Sequence, residues 1–361
     1  MSSAASVSQL VRMDRIRDHC IRVGYLSMYL IFVNCFFNQV ARDVLGLSGD
    51  IDCRLEPLAD GLNFLSDAYF VNVKNESTEI SLFVKVNLLV IKFGSLFHCL
   101  QVPPKTNQVR QQLFDSLADQ DLFQREFHFY NSVCNLFKII IEDEDEDVKD
   151  ILNFIPHSLT LPGKTTLNQG LEQPLTFENL LSSGYRMWKD EFNGLDLDHA
   201  VVALETLGKL HALGMVLCEK NIVEDHNLMD YDFMKTFCNP ILDIIDDGMM
   251  AFLQWMENNE YGKNCISKLE NQLRKRNYLK TVATLFEEGK NNALKVIQHG
   301  DARSNNILFK YAEDNTTPVG AMLVDFQMAC YNNPFFDLVY FLAISLSAEL
   351  LVPNYHHLVN R

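Results

Sequence analysis

The stretch Val296-Ile-Gln-His-Gly-Asp-Ala-Arg-Ser-Asn-Asn-Ile-Leu-Phe309 places a dense polar segment between two apolar, strand-like runs. A surface turn needs only one or two such polar residues. This segment contains His299, Asp301 and Asn306 in the pattern H-x-D-x-x-x-x-N, and a second acid, Asp325, ends the apolar run "AMLVDF". The concentration of reactive side chains indicates a reaction centre rather than a loop.

The spacing of these residues is the one that phosphoryl transfer requires. Asp301 can orient a hydroxyl group and accept its proton, while the amide oxygen of Asn306 and the carboxylate of Asp325 can hold Mg²⁺ against nucleotide phosphates. A hairpin between residues 306 and 325 would bring these two metal ligands side by side. The alternative is a polar turn followed by an aspartate that merely ends a strand. The pattern H-x-D-x-x-x-x-N and the later Asp325, taken together, favour the catalytic interpretation.

Two charged residues lie in apolar surroundings earlier in the chain. Lys85 belongs to the strand-like "SLFVKV", where a lysine is costly to bury without an anionic partner. Glu126 belongs to "LFQREFHFY", whose apolar residues have helical spacing. We expect a Lys85–Glu126 pair that directs the ammonium group at the α- and β-phosphates of ATP. An edge strand from which Lys85 reaches solvent is the alternative.

The composition excludes some classes of partner. The chain has 361 residues, a formal net charge of −16 and nine cysteines. An acidic surface argues against a nucleic-acid binder, and nine scattered cysteines without a C-x-x-C pair suggest reduced thiols in the cytoplasm. We expect a cytoplasmic monomer with no nucleic-acid partner.

The periodicity of the chain changes from strand-like to helical. Residues 67–74 and 79–86 read as a hairpin, whereas residues 196–217 and the segment that follows Pro334 read as helices. This order predicts an α+β fold of two lobes, a small β-rich N-lobe and a larger, mostly helical C-lobe. The expected divisions are an N-terminal helical extension (1–50), a nucleotide-binding N-lobe (51–180) and a C-lobe with the catalytic loop and the acceptor site (181–361).

Six motifs together resemble one known family. They are "SLFVK", "FQREFHFY", "PLTFENLLSSGYRMW", "GLDLDHAVVALETLGKLHAL", "HGDARSNNILF" and "LVDFQMACYNNPFFDLVYFL". From about Leu55 to Leu351 the chain resembles the ecdysteroid-kinase-like (CHK kinase-like) family, which is related to the choline and aminoglycoside phosphotransferases. The resemblance implies a protein-kinase-like fold. It also implies an ATP- and Mg²⁺-dependent phosphotransferase that acts on a hydroxyl of a small molecule, such as an ecdysteroid.

The resemblance also implies roles for individual residues. Asp301 would be the catalytic base, and Asn306 and Asp325 the metal ligands. A hinge strand would hold adenine through its backbone, and its residues are Phe177, Glu178, Asn179 and Leu180.

The resemblance gives less specific roles to three further residues, His299, Asp337 and Arg303. His299 is expected to be a structural residue of the loop, and Asp337 to brace that loop through hydrogen bonds, although it could equally cap a helix. Arg303 stands where many family members have Trp. It could neutralise charge on the transferred phosphoryl group, or it could face solvent.

Two departures from the family pattern support a different function. The loop "ADGLNFLSDAYF", which should cover the nucleotide, contains only Gly61, and the chain ends at Arg361, before the further helices that family members have. A catalytically impaired, kinase-like binding protein is therefore the main alternative. A protein kinase is disfavoured, because no A-P-E signature follows "DFQ".

Two apolar segments interrupt the family pattern. Residues 23–39 and 86–101 both begin with Val and end with Gln, so each could be an in-frame retained intron of the gene model. The alternative for 86–101 is a genuine hairpin or docking loop. Residues 24–40 follow several arginines and could anchor the chain in a membrane, which gives a membrane-anchored family member as another alternative. We expect no membrane partner, because this run is short for a span and contains polar residues.

Overall fold

The computed structural model describes eleven parts of the chain: residues 36–57, 66–87, 122–142, 150–160, 174–189, 193–220, 250–259, 262–263, 266, 278–291 and 294–360. The chain forms two units, one of Met1–Val102 with Ser158–Asn179 and the other of Pro103–His157 with Leu180–Arg361. Residues 103–157 thus group with the second unit, whereas the sequence-based division placed them in the N-lobe; that division stays a prediction.

A four-stranded antiparallel sheet of order β1-β2-β3-β4 forms the described centre of the first unit. Its strands are β1 (Asp52–Pro57), β2 (Ser66–Lys74), β3 (Glu79–Asn87) and β4 (Leu175–Glu178). The hairpin expected from sequence is therefore formed by β2 and β3. Asn75 closes its turn, because the side-chain Oδ1 accepts hydrogen bonds from the N–H groups of Ser77 (3.0 Å) and Thr78 (2.7 Å).

One face of this sheet carries the core of the first unit. Alternate residues point to the same face of a strand, and Val71, Val73, Leu82 and Val84 are fully buried in this way. The helix α1 (residues 36–43) packs on them through Phe36 and Phe37. Residues 36–39 are the described end of the segment 23–39 that we interpreted as an insert. The rest of that segment, most of 86–101 and the loop with Gly61 lie outside the described residues.

The second unit is mostly helical, as expected for the C-lobe. Its described helices are α2 (Leu122–His128), α3 (Cys134–Ile141), α4 (Leu197–Glu219), α5 (residues 250–258), α6 (Tyr278–Lys290), α7 (Phe335–Ser345) and α8 (Ala348–Val359). Its described strands are β5 (Tyr185–Met187), β6 (Val296–Gln298), β7 (Ile307–Tyr311), β8 (Pro318–Leu323) and β9 (Cys330–Asn332). Strands β5, β7 and β8 form one small sheet, and β6 pairs with β9.

A π-helical turn, Phe129–Val133, joins α2 to α3. The spacing of apolar residues predicts helix in this region but gives no sign of the change in winding. The wider turn changes which side chains face inward, and the neighbouring residues Phe129 and Tyr130 are both buried. Two adjacent aromatic rings are thereby available to pack against the same partner.

Helix α4 is the central helix of the second unit and packs against β6 and β8. Asp196 caps its N-terminus, since Oδ1 accepts a hydrogen bond from the N–H of His199 at 3.0 Å. Among the described helices, α4 alone has the length and apolar composition that could cross a membrane, and core helices of soluble proteins pass the same test. Its inward face is packed within the unit, where ten of its residues are buried.

The close approach of α4 to β6 depends on Gly214. A Cβ atom at this position would collide with the backbone nitrogen and the side chain of Ile297 in the middle of β6. Since β6 leads directly into the polar segment, the fit at Gly214 sets where that segment begins.

Replacing Gly214 by Ala should therefore lower the free energy of unfolding, by about 2 kcal/mol, because overpacking forces the backbone of β6 to shift. Gly208→Ala is the matched control on the same helix, where a Cβ meets nothing within 4 Å. That change should raise the free energy of unfolding by up to about 1 kcal/mol, since Ala favours helix. Urea unfolding of both variants measures the difference, and equal effects would contradict the packing described.

Candidate active site

The polar segment leaves β6 at His299 and enters β7 through a 3₁₀ turn, Ser304–Asn306. Gly300 has φ +80°, and a Cβ atom there would collide with the backbone carbonyl of Met328. Only glycine fits this left-handed, tightly packed position. The segment 299–306, called the catalytic loop below, is thus held against the residues that follow Asp325.

Asp337 fastens the catalytic loop from the first turn of α7. Its Oδ2 accepts hydrogen bonds from the N–H of His299 (2.7 Å) and from Nε2 of His211 (2.9 Å), and its Oδ1 accepts one from the N–H of Gly300 (2.9 Å). The side chain is 2% exposed. Asp337 is not the cap of α7, whose N-cap is Pro334. Its carboxylate instead binds the backbone of the catalytic loop.

The environment of Asp337 favours its charged form. Burial alone would raise the pKa of this carboxyl group, but the hydrogen bond and charge of His211 and the N–H of Gly300 outweigh burial. The pKa of Asp337 therefore lies below its usual value. A buried carboxylate with three donors is a rigid anchor for the loop backbone.

His299 links the catalytic loop to the strand end that precedes Asp325. Its Nδ1 accepts the N–H of Asp301 at 3.3 Å, and its Nε2 lies 2.9 Å from the carbonyl oxygen of Val324, to which it donates. The imidazole is fully buried. Because both ring nitrogens bind backbone groups, His299 has a structural arrangement and no nitrogen left to act as a general base.

Three groups meet the carboxylate of Asp301. Its Oδ2 accepts a hydrogen bond from Nδ2 of Asn306 at 2.8 Å, and its Oδ1 accepts one from the hydroxyl of Tyr340 at 2.8 Å. Nε of Arg303 lies 3.4 Å from Oδ2, close enough for an ion pair but without hydrogen-bond geometry. The sequence analysis did not identify Tyr340. Its position three residues after Asp337 puts it on the same side of α7, but within an apolar helix that spacing does not indicate a polar contact.

The hairpin of β7 and β8 places Asn306 beside the segment that ends in Asp325. Ile307 pairs with Leu323, and the N–H of Val324 donates to the carbonyl oxygen of Asn306 at 3.0 Å. Asp325 then adopts a left-handed conformation with φ 69° and ψ 60°, which is costly for a residue other than glycine. The structure therefore brings Asp301, Asn306 and Asp325 into one part of the fold.

The donor set at this point suits Mg²⁺ bound together with nucleotide phosphates. Nδ2 of Asn306 donates to the carbonyl oxygen and to the carboxylate of Asp301. The amide oxygen of Asn306 is therefore the atom that could bind the ion. Within the described residues no three His, Cys, Asp or Glu side chains gather as a metal cage. Mg²⁺ seldom needs such a cage, because it keeps several waters and takes phosphate oxygens with one or two protein ligands. Asn306 and Asp325 fit that pattern.

Phe326 connects Asp325 to the helix that carries Glu126. Its ring is fully buried and stacks on Phe129 with centroids 3.9 Å apart, while the edge of Tyr130 and the ring of His299 also contact it at 5.6 and 4.6 Å. Both aromatic residues of the π-helical turn, Phe129 and Tyr130, thus pack against the ring of Phe326.

Arg125 makes a second connection between α2 and the same segment. Its Nη2 donates to the carbonyl of Ala329 at 2.6 Å and its Nε to the carbonyl of Gln327 at 3.3 Å. These charge-assisted hydrogen bonds fix α2 against the backbone that follows Asp325. The position of α2 is therefore tied to that of the metal-ligand candidate.

Glu126 is buried in α2, with 2% of its surface exposed. Burial raises the pKa of the neighbouring Tyr130, and the charges of Glu126 and Asp325 raise it further, against a backbone hydrogen bond from Asp325. Both carboxylates therefore lie near the same phenol. Lys85 is buried in β3 of the first unit, and its pairing with Glu126 stays a prediction.

The hinge candidates lie at the end of β4 and just beyond it. The N–H of Asn179 donates to the carbonyl of Ser81 at 3.0 Å, and the carbonyl of Leu180 accepts from the N–H groups of Ser183 and Tyr185. These backbone groups are used within the protein. Phe177 and Glu178 also pair with Phe83 and Leu82 of β3. The role of the segment in nucleotide binding stays a prediction.

Comparison with known proteins identifies the family. The model of the ecdysteroid kinase-like family matches residues 93–361, more than two thirds of the chain. The chain belongs to the ecdysteroid kinase-like family. This membership confirms the resemblance seen in the motifs, and the β-sheet of the first part and the helices of the second confirm the fold class expected with it. The match begins after Lys85.

Solved structures also match this ecdysteroid kinase-like protein. One is the choline kinase from Cryptosporidium parvum Iowa II, with 12% sequence identity and a TM-score of 0.37. The alignment covers 81% of this chain and 63% of the choline kinase, so this chain spans less than two thirds of that protein. The search of curated proteins gave no match.

Asp337→Asn should lower the free energy of unfolding by about 3 kcal/mol, since an amide cannot accept from both backbone N–H groups and leaves a buried donor without a partner. His211→Leu removes one donor and leaves both backbone bonds, so it should cost about half as much, about 1.5 kcal/mol. Urea unfolding at neutral pH measures both. Equal costs would show that Asp337 does not hold the loop through its backbone bonds.

The same carboxylate predicts a dependence of stability on pH. Because the pKa of Asp337 is lowered in the folded protein, its contribution is complete above the unfolded pKa, about 4, and is lost as pH falls through the lower folded value. The free energy of unfolding of the wild type should therefore fall more steeply below about pH 4 than that of Asp337→Asn. Parallel curves for the two proteins would contradict this assignment.

Proposed function

We propose that this ecdysteroid kinase-like protein is an ATP- and Mg²⁺-dependent phosphotransferase that phosphorylates a hydroxyl group of a small molecule. The observation that carries the proposal is the arrangement around Asp301. Asn306 holds the Asp301 carboxylate through its amide nitrogen, and its backbone pairs with the residue that precedes Asp325. The catalytic loop thus supplies a fixed carboxylate, and the β7–β8 hairpin brings two oxygen ligands together, the parts that phosphoryl transfer requires.

In the proposed reaction Asp301 accepts the proton of the acceptor hydroxyl. A bond forms between the acceptor oxygen and the γ-phosphorus of ATP, the bond from that phosphorus to the β–γ bridging oxygen breaks, and ADP leaves. The hydrogen bond from Asn306 keeps the carboxylate oriented during this step. Because Asp301 is only partly exposed, with 17% of its side chain accessible, bulk water has limited access to it.

Asn306 and Asp325 would hold the Mg²⁺ that accompanies the nucleotide. The ion supplies positive charge to the phosphate oxygens as negative charge develops on them. The buried ring of Phe326 and the backbone bonds made by Arg125 keep the Asp325 segment in place. We assign Lys85, with Glu126, to the α- and β-phosphates of the same nucleotide.

Arg303 is the cation nearest to Asp301 in the described part of the chain, with 42% of its side chain exposed. From this position it can approach a phosphoryl group that is transferred near Asp301, and it would neutralise charge there. The same exposure leaves it able to face solvent when no nucleotide is bound.

The acceptor is proposed to be a small hydroxylated molecule, and the family name suggests an ecdysteroid or a related steroid. The described part of the site favours no particular steroid. The most direct screen therefore incubates the protein with γ-labelled ATP and a panel of hydroxylated acceptors that includes ecdysteroids.

Asp301→Asn should reduce transfer to any acceptor found in this screen by about 10²-fold or more, because general-base catalysis contributes roughly that factor. Its affinity for Mg·ATP should be unchanged, since the amide keeps the shape of the side chain. Asp50→Asn, at an exposed position of the first unit, is the control and should retain full transfer. Undiminished transfer by Asp301→Asn would remove the assignment of the base. A wild-type protein that does not bind Mg·ATP would instead favour a non-catalytic binding protein.

Lys85→Met tests the nucleotide end of the site. Loss of a charged hydrogen bond to phosphate should cost about 1.5–3 kcal/mol of binding, so the affinity for Mg·ATP should fall at least tenfold. Lys74→Met is the matched control, because Lys74 is exposed on the neighbouring strand and pairs with Glu79. Titration calorimetry with a non-hydrolysable ATP analogue compares them, and equal affinities would place Lys85 outside the nucleotide site.

A further inference from the structure

The hydroxyl group of Tyr340 lies on the carboxylate that we propose to be the catalytic base. Its oxygen is 2.8 Å from Oδ1 of Asp301, on the opposite oxygen from the one that Asn306 binds. The reaction proposed above does not use this contact.

Tyr340 can only donate in this hydrogen bond. A carboxylate has no proton to give, and burial followed by the charge of Asp301 raises the pKa of the phenol well above its usual value. The phenol therefore stays protonated at any pH at which the protein is folded and active, and Oδ1 of Asp301 carries a hydroxyl donor permanently within reach.

The hydroxyl of Tyr340 is the same kind of group as the hydroxyl of the molecule to be phosphorylated. A base that takes the proton of an alcohol first accepts a hydrogen bond from that alcohol, with heavy atoms about 2.6–3.2 Å apart. The contact from Tyr340 falls in that range and uses the same kind of group, an O–H on carbon. The oxygen of an acceptor would therefore compete for the place that the oxygen of Tyr340 occupies.

The side chain of Tyr340 has room to leave. Tyr340 is 37% exposed, and its helical neighbours Val339 and Ile344 are 62% and 57% exposed. In contrast, Asp337 on the preceding turn is buried and binds the loop with both oxygens. The phenol can thus rotate away over an open apolar surface while the loop stays fixed.

We propose that Tyr340 holds the place of the acceptor hydroxyl at Asp301 and is displaced when an acceptor binds. The inference rests on the proposed function, because it assumes that Asp301 is the base. In the absence of acceptor, Tyr340 keeps water from the carboxylate. Water in that place would lose a proton to Asp301 as its oxygen bonds to the γ-phosphorus and ADP leaves, so the products would be ADP and phosphate. Tyr340 thus limits acceptor-independent hydrolysis of ATP.

Tyr340→Phe removes the hydroxyl and keeps the ring. The variant should hydrolyse Mg·ATP without acceptor several-fold faster than the wild type, and its KM for the acceptor should fall while kcat changes little. Tyr355→Phe is the control, since Tyr355 is an exposed tyrosine on α8 whose ring lies edge-on to that of its neighbour His356. It should match the wild type in all three quantities. Thermal unfolding checks that both variants are folded.

The outcomes separate the inference from the proposed function. A Tyr340→Phe variant that loses about tenfold or more in kcat without faster hydrolysis would overturn the inference, because Tyr340 would then orient Asp301 during the reaction. Unchanged hydrolysis and unchanged KM would also overturn it. The hydrolysis measurement needs no acceptor, so it remains informative if none is found. If Asp301→Asn leaves both hydrolysis and transfer intact, the proposed function itself fails.

Discussion

The site depends on one buried carboxylate, that of Asp337. It accepts the N–H groups of His299 and Gly300 at the point where the chain leaves β6. His299, held in this way, accepts the N–H of Asp301 and donates to the carbonyl of Val324. A single anion thus fixes the start of the catalytic loop and, through one imidazole, the backbone just before Asp325. The cost of burying the charge is offset by three donors.

Much of this arrangement could be predicted from the sequence because it follows from local pattern. Alternation of apolar residues and a polar turn predicted both the β2–β3 and the β7–β8 hairpins, and with the second hairpin came the proximity of Asn306 and Asp325. The Asp196 cap of α4 is likewise a local signal. The family motifs located Asp301 and Asp337, although the pattern alone could not decide whether Asp337 capped its own helix or held the loop.

The remaining features could not be predicted, because they depend on contacts between distant segments. The donors of Arg125 bind backbone carbonyls, and carbonyls leave no trace in a sequence. The π-helical turn that presents Phe129 to Phe326 has the same apolar spacing as an ordinary helix. Tyr340 lies in the apolar helix α7 and reads as a core residue, whereas its hydroxyl reaches Asp301. Phe177 to Leu180 gave a clear motif but no information on which backbone groups are already bonded.

The central claim is that the hairpin of β7 and β8 binds a divalent ion together with a nucleotide. Electron paramagnetic resonance of Mn²⁺, a substitute for Mg²⁺, tests it most directly in the presence and absence of a non-hydrolysable ATP analogue. The account predicts that Mn²⁺ binds with the nucleotide, and that Asp325→Asn weakens its binding at least tenfold, about 1.4 kcal/mol, whereas Asp50→Asn does not. Equal Mn²⁺ affinity in the wild type and in Asp325→Asn would contradict the account.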